Sequence, residues 1–419
     1  MALRRTLGWV AILYFAEGLP FGVVKEVMPV YFRAHGAPLA EIGLLSLLGL
    51  PWTLKVLWSP LVDRYGERRT WVSACLVVLA MTCAALVPFD PASSARSLAL
   101  VLLIMATASA TQDVAIDAYT ISLVERGEEG RANGVRVSAY RVALIASGGG
   151  LLLLAPWAGW STAFLCGAAL FAVLALLVRT APRLTVAAEP RRHWVGPMRA
   201  WLLRPGALAV FAFILLYKLG DATMGPMVKP FWLDRGLAIE EVGIVSGSFG
   251  VVATIAGALI GGRLTDRWGI WWALLVLGLA QAVSNLGYAT VAWLDPPAPA
   301  AVVASWWEAV RAAAEPGRGM IYAASLLESF SSGLGSAAFL AFLMHICDQE
   351  HAAVQYAALS AVFALSRDLA GAMSGWATEQ LGYAAYFALT FLLAFPALAL
   401  LPAIRGWLRE IRPLRPAAA

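Results

Sequence analysis

Ionisable residues interrupt the long apolar stretches of this 419-residue chain. They are Glu17, Lys25, Lys55, Asp113, Asp117, Arg141, Lys218, Asp221, Glu328, Arg367 and Asp368. A charge at the middle of a membrane helix costs about 2.5–3.5 kcal/mol on insertion scales, so such residues normally face a bundle interior or a watery cavity. There they pair with one another or bind a charged solute, and this chemistry is typical of a transport pathway.

Two carboxylates in the fourth apolar stretch have the spacing that proton coupling would need. Asp113 and Asp117 are four residues apart, so they share one face of a helix. Close carboxylates in a low dielectric repel, and one of them could hold a proton near neutral pH. The alternative is that either aspartate simply pairs with Arg141 or Lys55. Further candidates for proton coupling are Glu17 and Glu328.

The buried cations and their polar neighbours are candidates for binding the solute. Lys55 and Arg141 have no obvious partner on their own helices, so they must find one across the bundle or bind an anion. Arginine suits forked recognition of carboxylate or phosphate, whereas lysine acts as a point charge. Lys218 and Asp221 are three residues apart and are expected to form an intrahelical pair. The substrate-binding candidates are Lys55, Gln112, Tyr119, Tyr140, Arg141, Lys218, Asp221 and Arg367.

Composition places these residues in a membrane protein. The chain is 60% hydrophobic and 14% charged, with mean hydropathy +0.74, whereas a soluble domain has about 25% charged residues. Its net charge of +5 is not gathered on one amphipathic face, so we expect no nucleic-acid partner. Walker, HExxH, GxSxG and CxxC motifs are absent, which argues against an enzyme, a metal and a cofactor. A membrane sensor without transport is the alternative function.

Twelve apolar stretches are predicted to be transmembrane helices. Inside hydrocarbon, a single chain segment can make all its backbone hydrogen bonds only as a helix. The predicted ranges are 7–33, 41–62, 70–88, 98–124, 133–155, 161–180, 206–232, 240–262, 270–293, 319–345, 354–378 and 383–404. Prolines inside the first, second and seventh ranges should kink those helices. A helix at the membrane surface is also expected within residues 305–314.

Arginines accumulate in alternate connections, which predicts the orientation. The arginine-rich set includes the connections after the second, fourth, sixth and eighth helices and the C-terminal tail. The positive-inside rule places this set, and therefore both termini, in the cytoplasm. The longest of these connections, 181–205, is predicted to be a linker between six-helix bundles at 1–180 and 206–419.

The two halves also repeat short motifs. Residues 40–43 (AEIG) are echoed by 240–243 (EEVG), and 61–66 (LVDRYG) by 264–269 (LTDRWG). The repeats fall at equivalent places around the second and eighth helices. This is the internal duplication expected of a transporter with two pseudo-symmetric bundles.

The paired Asp-Arg-x-Gly loops resemble the signature of the major facilitator superfamily. The resemblance implies an all-α membrane fold in which these loops form a cytoplasmic gate. The gate residues would be Asp63, Arg64, Asp266 and Arg267.

A narrower resemblance covers most of the chain. The blocks 41–64, 111–119, 217–222, 253–262, 281–288, 328–347 and 355–367 look like the AmpG-type muropeptide permeases. That resemblance implies a multi-pass protein of the bacterial inner membrane, expected to be monomeric, that imports anhydromuropeptides together with protons. The expected solute is anionic and amphiphilic. Siderophores, drugs and coenzyme A esters are the alternative solutes of the wider branch, and export is an alternative direction.

Overall fold

A computed structural model describes residues 2–124, 129–183, 201–296, 303–347 and 352–409. Within these residues, eleven helices are long and apolar enough to cross a membrane. They are α1 (Arg5–Ala34), α2 (Leu39–Leu57), α3 (Arg68–Ala85), α4 (Arg96–Thr120), α5 (Gly134–Ala158), α6 (Trp160–Val178), α7 (Ala207–Asp234), α8 (Ile239–Trp268), α9 (Ile270–Leu294), α10 (Pro316–His345) and α11 (Ala358–Leu408). Most predicted helix boundaries agree with these to within a few residues.

The eleventh span is too long for a single crossing. Ala358–Leu408 has 51 residues, which as a straight helix would be about 77 Å long, against a hydrocarbon core of about 30 Å. Gly382 breaks the helix, because its φ of 74° lies in the left-handed region that favours glycine. The break falls between the last two ranges predicted from the sequence, 354–378 and 383–404.

Proline-containing helices are irregular, as their sequences predict. In α1 a π-helical turn, Val23–Val27, precedes Pro29. In α2 a 3₁₀ segment, Leu45–Gly49, precedes Pro51. Proline lacks an amide hydrogen, so it frees a carbonyl one turn earlier and allows the hydrogen-bond pattern to change. In α7 the irregular residue is Lys218, with φ −105° and ψ 14°.

The expected surface helix is present as Trp306–Ala312. Its first turn is fixed by a capping box, in which the Ser305 side chain accepts from the Glu308 amide and Glu308 accepts from the Ser305 amide. The Ala304 amide also donates to Glu308, at 2.9 Å, and this bond and that from the Ser305 amide hold the pKa of the Glu308 carboxyl below its usual value.

The apolar core is arranged in two clusters. The larger cluster is shared by the two halves of the chain and includes Tyr14 and Phe164 together with Phe231 and Tyr288. The smaller cluster lies within the second half, around residues such as Phe342. Burial of large apolar and aromatic side chains therefore holds each half together and also joins the halves.

Glycines allow the two halves to approach closely at two places. A Cβ atom on Gly375 of α11 would lie 1.7 Å from the carbonyl oxygen of Leu39, at the start of α2. A Cβ atom on Gly243 of α8 would lie 3.2 Å from the carbonyl oxygen of Gly149 in α5. Small residues of this kind let membrane helices pack backbone against backbone.

Polar contacts also join the halves at the end of the molecule where these glycines lie. We call it the closed end and define it by the turns 35–38 and 235–238. Arg33 donates two hydrogen bonds to Asp234, Nε–Oδ1 at 2.5 Å and Nη2–Oδ2 at 2.6 Å. Tyr383 also donates to Asp234, at 2.8 Å. The amide of Ala40 donates to Glu379 of α11 at 2.9 Å. Forked arginine–carboxylate pairs are among the stronger polar contacts, so α1 and α7 are firmly joined here.

Candidate functional site

A cavity of about 330 Å³ lies between the halves, just inside the closed end. Helices α1 and α2 form one wall, and α7 and α11 form the other. Its charged lining residues are Lys25, Glu26, Asp221, Lys229, Arg367 and Asp368. Phe21, Ile42 and Leu45 supply apolar surface. The cavity can therefore bind a solute that carries both charged and apolar groups.

The charges in the cavity pair across the two halves. Lys25 donates to Asp368 at 3.3 Å and to the carbonyl oxygen of Ser46 at 3.0 Å. Lys229 forms a salt bridge with Glu26 and also donates to the Glu26 carbonyl oxygen at 3.0 Å. Both α1 residues belong to the π-helical turn, and such turns often mark functional sites. Charged side chains from both halves thus meet at one solute-sized space.

The neighbouring residues Arg367 and Asp368 have different surroundings, as expected for adjacent positions on a helix. The Asp368 side chain is 2% exposed and is held by Lys25, whereas the Arg367 side chain is 44% exposed and also lies 3.9 Å, Nε to Oδ1, from Asp368. Arg367 lines the cavity, and the Tyr140 ring of α5 lies 6.3 Å, centroid to centroid, from the ring of Phe21, another lining residue.

Asp113 and Asp117 lie on one face of α4, as their spacing predicts, and Glu17 of α1 joins them. Carboxylate oxygens of these three residues lie within 4.8 Å of one another. We call this group, with its basic partners Lys55 and Arg136, the carboxylate cluster. Lys55 forms a salt bridge with Asp113, which confirms one of the two pairings left open by the sequence.

Asp117 has a basic partner that the sequence did not suggest. Arg136 lies 3.2 Å from Asp117 Oδ1, and the Tyr14 hydroxyl donates to the same oxygen at 2.7 Å. The guanidinium of Arg136 also lies 4.6 Å from the Tyr14 ring centroid. Arg141, the expected alternative partner, makes no salt bridge with a described acidic side chain.

Lys218 and Asp221 form the predicted intrahelical pair, with Nζ and Oδ2 3.4 Å apart. Lys218 also donates to Gln281 Oε1 of α9 at 2.7 Å and to the Ser332 carbonyl of α10 at 3.3 Å. Glu328 lies near this pair and accepts from the Ser329 hydroxyl at 3.4 Å. A second polar cluster therefore borders the cavity from the second half, through Asp221.

Two predicted substrate residues lie elsewhere or have another role. The Tyr119 hydroxyl donates to the Pro182 carbonyl at 2.7 Å, so this side chain fastens α4 to the segment after α6 and does not line the cavity. Gln112 is fully buried, and neither polar atom of its side chain has a hydrogen-bond partner in the described part of the chain.

The predicted gate lies at the end opposite the closed end. Asp266 and Arg267, in the last turn of α8, are exposed and form no salt bridge with described residues. The side chains of Asp63 and Arg64 lie outside the described residues. The ion pairs between the halves that the described residues form lie at the closed end and in the cavity.

Sequence reasoning missed two charged residues of the site. By sequence Arg136 belongs with the arginines that follow the fourth helix, but its side chain is the partner of Asp117 within the carboxylate cluster. Lys229 was overlooked, although it interrupts the seventh apolar range between Pro226 and Pro230. The criterion that selected the other buried charges would have found Lys229. Arg136 carried no comparable signal, because it lies close to an arginine-rich connection.

The fold and this central, charge-lined cavity are those of a membrane carrier, and the chain belongs to the Major Facilitator Superfamily. The sequence model of that family matches residues 10–317. The family resemblance is thereby confirmed, as is the prediction that the protein is a transporter and not an enzyme.

Curated relatives agree with the narrower resemblance. The chain is 33% identical to the anhydromuropeptide permease of Escherichia coli (strain K12), over 96% of this chain and 80% of the permease. It is 26% identical to the putative transporter AmpG 4 of Rickettsia conorii, over 93% of this chain and 94% of that protein. These relatives are bacterial, and with the apolar helices they confirm a multi-pass protein of the bacterial inner membrane.

Solved structures of other carriers share the fold. A bacterial homologue of the human lysosomal transporter Spinster, in an inward-facing and unoccupied conformation, superposes with a TM-score of 0.77 at 14% identity, covering 98% of each chain. The nucleoside transporter NupG gives 0.70 at 15% identity, covering 97% of this chain and 100% of NupG.

Proposed function

We propose that this protein is a proton-coupled transporter that imports anhydromuropeptides by alternating access. The observation that carries the proposal is the cavity between the halves, where charged residues of both halves meet in ion pairs. Pairs of this kind can exchange partners with a charged solute and can separate when the halves rock apart. The permease relative supports the identity of the solute.

The proposed topology has twelve crossings in two six-helix bundles, 1–180 and 206–419, joined by the cytoplasmic linker 181–205. The turn at Gly382 supports two crossings within α11. The arginine-rich connections support cytoplasmic termini.

With that orientation the closed end faces the periplasm, and the conformation opens toward the cytoplasm. The side chains of Lys55 and Arg136 support this assignment, because they lie near the ends of α2 and α5 that point away from the closed end and are 30% and 43% exposed. In the alternate conformation, the gate residues Asp63, Arg64, Asp266 and Arg267 would close the cytoplasmic end.

The cavity offers partners for an anionic, amphiphilic solute. Carboxylates of the solute would bind Lys25, Lys229 or Arg367, and an ammonium group would bind Glu26 or Asp221. The apolar surface beside these residues would hold the less polar part of the molecule. Protons would be carried by the carboxylate cluster or by Glu328.

The test is uptake of a labelled anhydromuropeptide into proteoliposomes under an imposed pH gradient. An acidic exterior should drive accumulation, and a protonophore should abolish it. Lys229→Gln should lower the affinity for the solute, whereas Arg311→Gln, on the surface helix, should leave it unchanged. Binding of a siderophore or an acyl-coenzyme A, without binding of the muropeptide, would refute the proposed solute.

A further inference from the structure

The carboxylate cluster contains one acid more than it has bases. Its acids are Glu17, Asp113 and Asp117, and its bases are Lys55 and Arg136. If all five were ionised, the cluster would carry one net negative charge. Asp117, Lys55 and Arg136 are partly exposed, whereas Glu17 and Asp113 are each 9% exposed, so an uncompensated charge is costly at these two and favours one more positive charge there.

Glu17 is the acid left without a basic partner. Lys55 is bound by Asp113, and Arg136 by Asp117, which also accepts the Tyr14 hydroxyl. Glu17 itself is 9% exposed, and its Oε2 is buried without a hydrogen-bond partner in the described part of the chain.

The titratable side chains around Glu17 come from four helices. Its own helix contributes Tyr14, α4 contributes Asp113 and Asp117, α2 contributes Lys55, and α5 contributes Arg136 and Tyr140. An ionised Glu17 would leave a buried, unpaired oxygen beside two other carboxylates, which is the costliest arrangement. A neutral Glu17 could instead donate its O–H group to the carboxylate of Asp113, with which it is in hydrogen-bonding contact.

We propose that Glu17 holds one proton in this conformation and is the residue at which the carboxylate cluster exchanges its proton during transport. The inference rests on the proposed proton-coupled function and names the site of coupling. In the exchange step the O–H bond of the Glu17 carboxyl breaks, its electron pair stays on the carboxylate, and the proton leaves to water.

Glu17 lies on α1, the helix whose ion pairs hold the two halves together. It lies eight residues before Lys25, or about 12 Å along a helix, on the same element that carries the ion pairs with α7 and α11. Loss of the proton adds a negative charge that competes for Lys55 and Arg136. The protonation state of Glu17 therefore acts on the helix that joins the halves.

Glu17→Gln keeps the shape of the neutral acid and removes its ability to release a proton. We expect this variant to exchange labelled for unlabelled anhydromuropeptide at a rate within about threefold of wild type. We expect its accumulation driven by a pH gradient to fall at least tenfold, and the pH dependence of solute affinity to disappear. Glu308→Gln is the control, because Glu308 lies on the surface helix and its carboxylate accepts from the amides of Ala304 and Ser305. It should accumulate solute like wild type.

A measurement without solute separates this inference from the proposed function. Infrared spectra of the purified protein near neutral pH should contain a carboxylic acid C=O band that is missing from Glu17→Gln. If wild type shows the band but transports no muropeptide, the proposed function fails and the proton on Glu17 stands. If Glu17→Gln does not fold, the shorter acid in Glu17→Asp should move the band.

Three results would overturn the assignment. The first is proton-driven accumulation by Glu17→Gln at the wild-type level. The second is a C=O band that Glu17→Gln and Glu17→Asp leave unaltered. The third is accumulation driven by a sodium gradient at constant pH and lost in Glu17→Gln, because the cluster would then hold a metal cation instead of a proton.

Discussion

At the scale of single residues, Asp368 is the carboxylate that joins the two halves most deeply. It is almost fully buried, accepts from Lys25 at 3.3 Å, and lies 3.5 Å from the Thr53 hydroxyl, so one side chain of α11 serves both α1 and α2. Removing one member of a buried ion pair leaves the other charge without compensation. Here the uncompensated charge would be Lys25, inside the cavity.

Asp368→Asn should therefore weaken the closed end. We expect a free-energy cost of about 1–3 kcal/mol to the conformation described here, less than for a fully buried pair because Lys25 can be hydrated from the cavity. Distance measurements between labels in the turns 35–38 and 235–238 should show a larger population with separated turns. Glu308→Gln, whose carboxylate accepts from the amides of Ala304 and Ser305 in its own turn, should leave the distribution unchanged. An unaltered distribution in Asp368→Asn would show that this pair does not hold the halves together.

Helical spacing predicted those parts of the site that lie on one helix. The shared face of Asp113 and Asp117 and the pair between Lys218 and Asp221 both follow from the geometry of a single helix. Partners on different helices could not be derived in this way. Arg136 reaches Asp117 because α4 and α5 both pack against α1, and this packing is not encoded in the spacing of residues along any one helix.

At the scale of helices, glycine determines how closely α2 and α11 can pack. Gly375→Ala places a methyl group against the Leu39 carbonyl, and overpacking of this kind typically costs about 1–3 kcal/mol. We expect the closed end to open, with a lower melting temperature in detergent. Gly262→Ala is the control, because Gly262 lies in α8 with open space around it. A melting temperature unchanged by Gly375→Ala would contradict the close contact.

The pairing of α1 with α7 depends on the shape of the arginine side chain as well as on its charge. Arg33→Lys keeps the charge but cannot make both bonds to Asp234, because lysine lacks the planar fork. The two side chains are partly exposed, so we expect a loss of about 0.5–1 kcal/mol. The accessibility of a cysteine in the turn 235–238 to a thiol reagent should rise modestly. Raising the salt concentration should produce a similar rise in wild type, and a salt-independent rate would argue against the ion pair.

The positions of the helices were predictable, but their internal irregularities were less so. An apolar stretch of membrane length has to be helical, because its backbone finds no other partners in hydrocarbon. The prolines indicated where α1 and α2 would be distorted. Whether the distortion is a π turn, as at Val23–Val27, or a 3₁₀ segment, as at Leu45–Gly49, depends on the packing of neighbouring helices.

At the scale of the whole molecule, the duplicated sequence produces two equivalent turns that come together. Gly36 and Gly236 adopt φ values of 78° and 79° at corresponding places in the repeat, and each follows a helix that ends in the Arg33–Asp234 pair. The repeat could be recognised in the sequence. The sequence does not show which end of the molecule is closed, because a carrier must have two conformations of similar free energy and one sequence encodes both.

The orientation of the whole molecule can be tested through its two ends. Ala34 is exposed at the closed end, and Thr180 is exposed after α6 near the opposite end. In a variant whose four native cysteines are replaced, Ala34→Cys should react with a membrane-impermeant thiol reagent added to right-side-out spheroplasts. Thr180→Cys should react in inverted membrane vesicles and stay unlabelled in spheroplasts. The arginine-rich connections require this result, because they favour the cytoplasmic side. The reverse pattern would place the termini outside, so that the conformation described here would open to the periplasm and present its carboxylate cluster to the external pH.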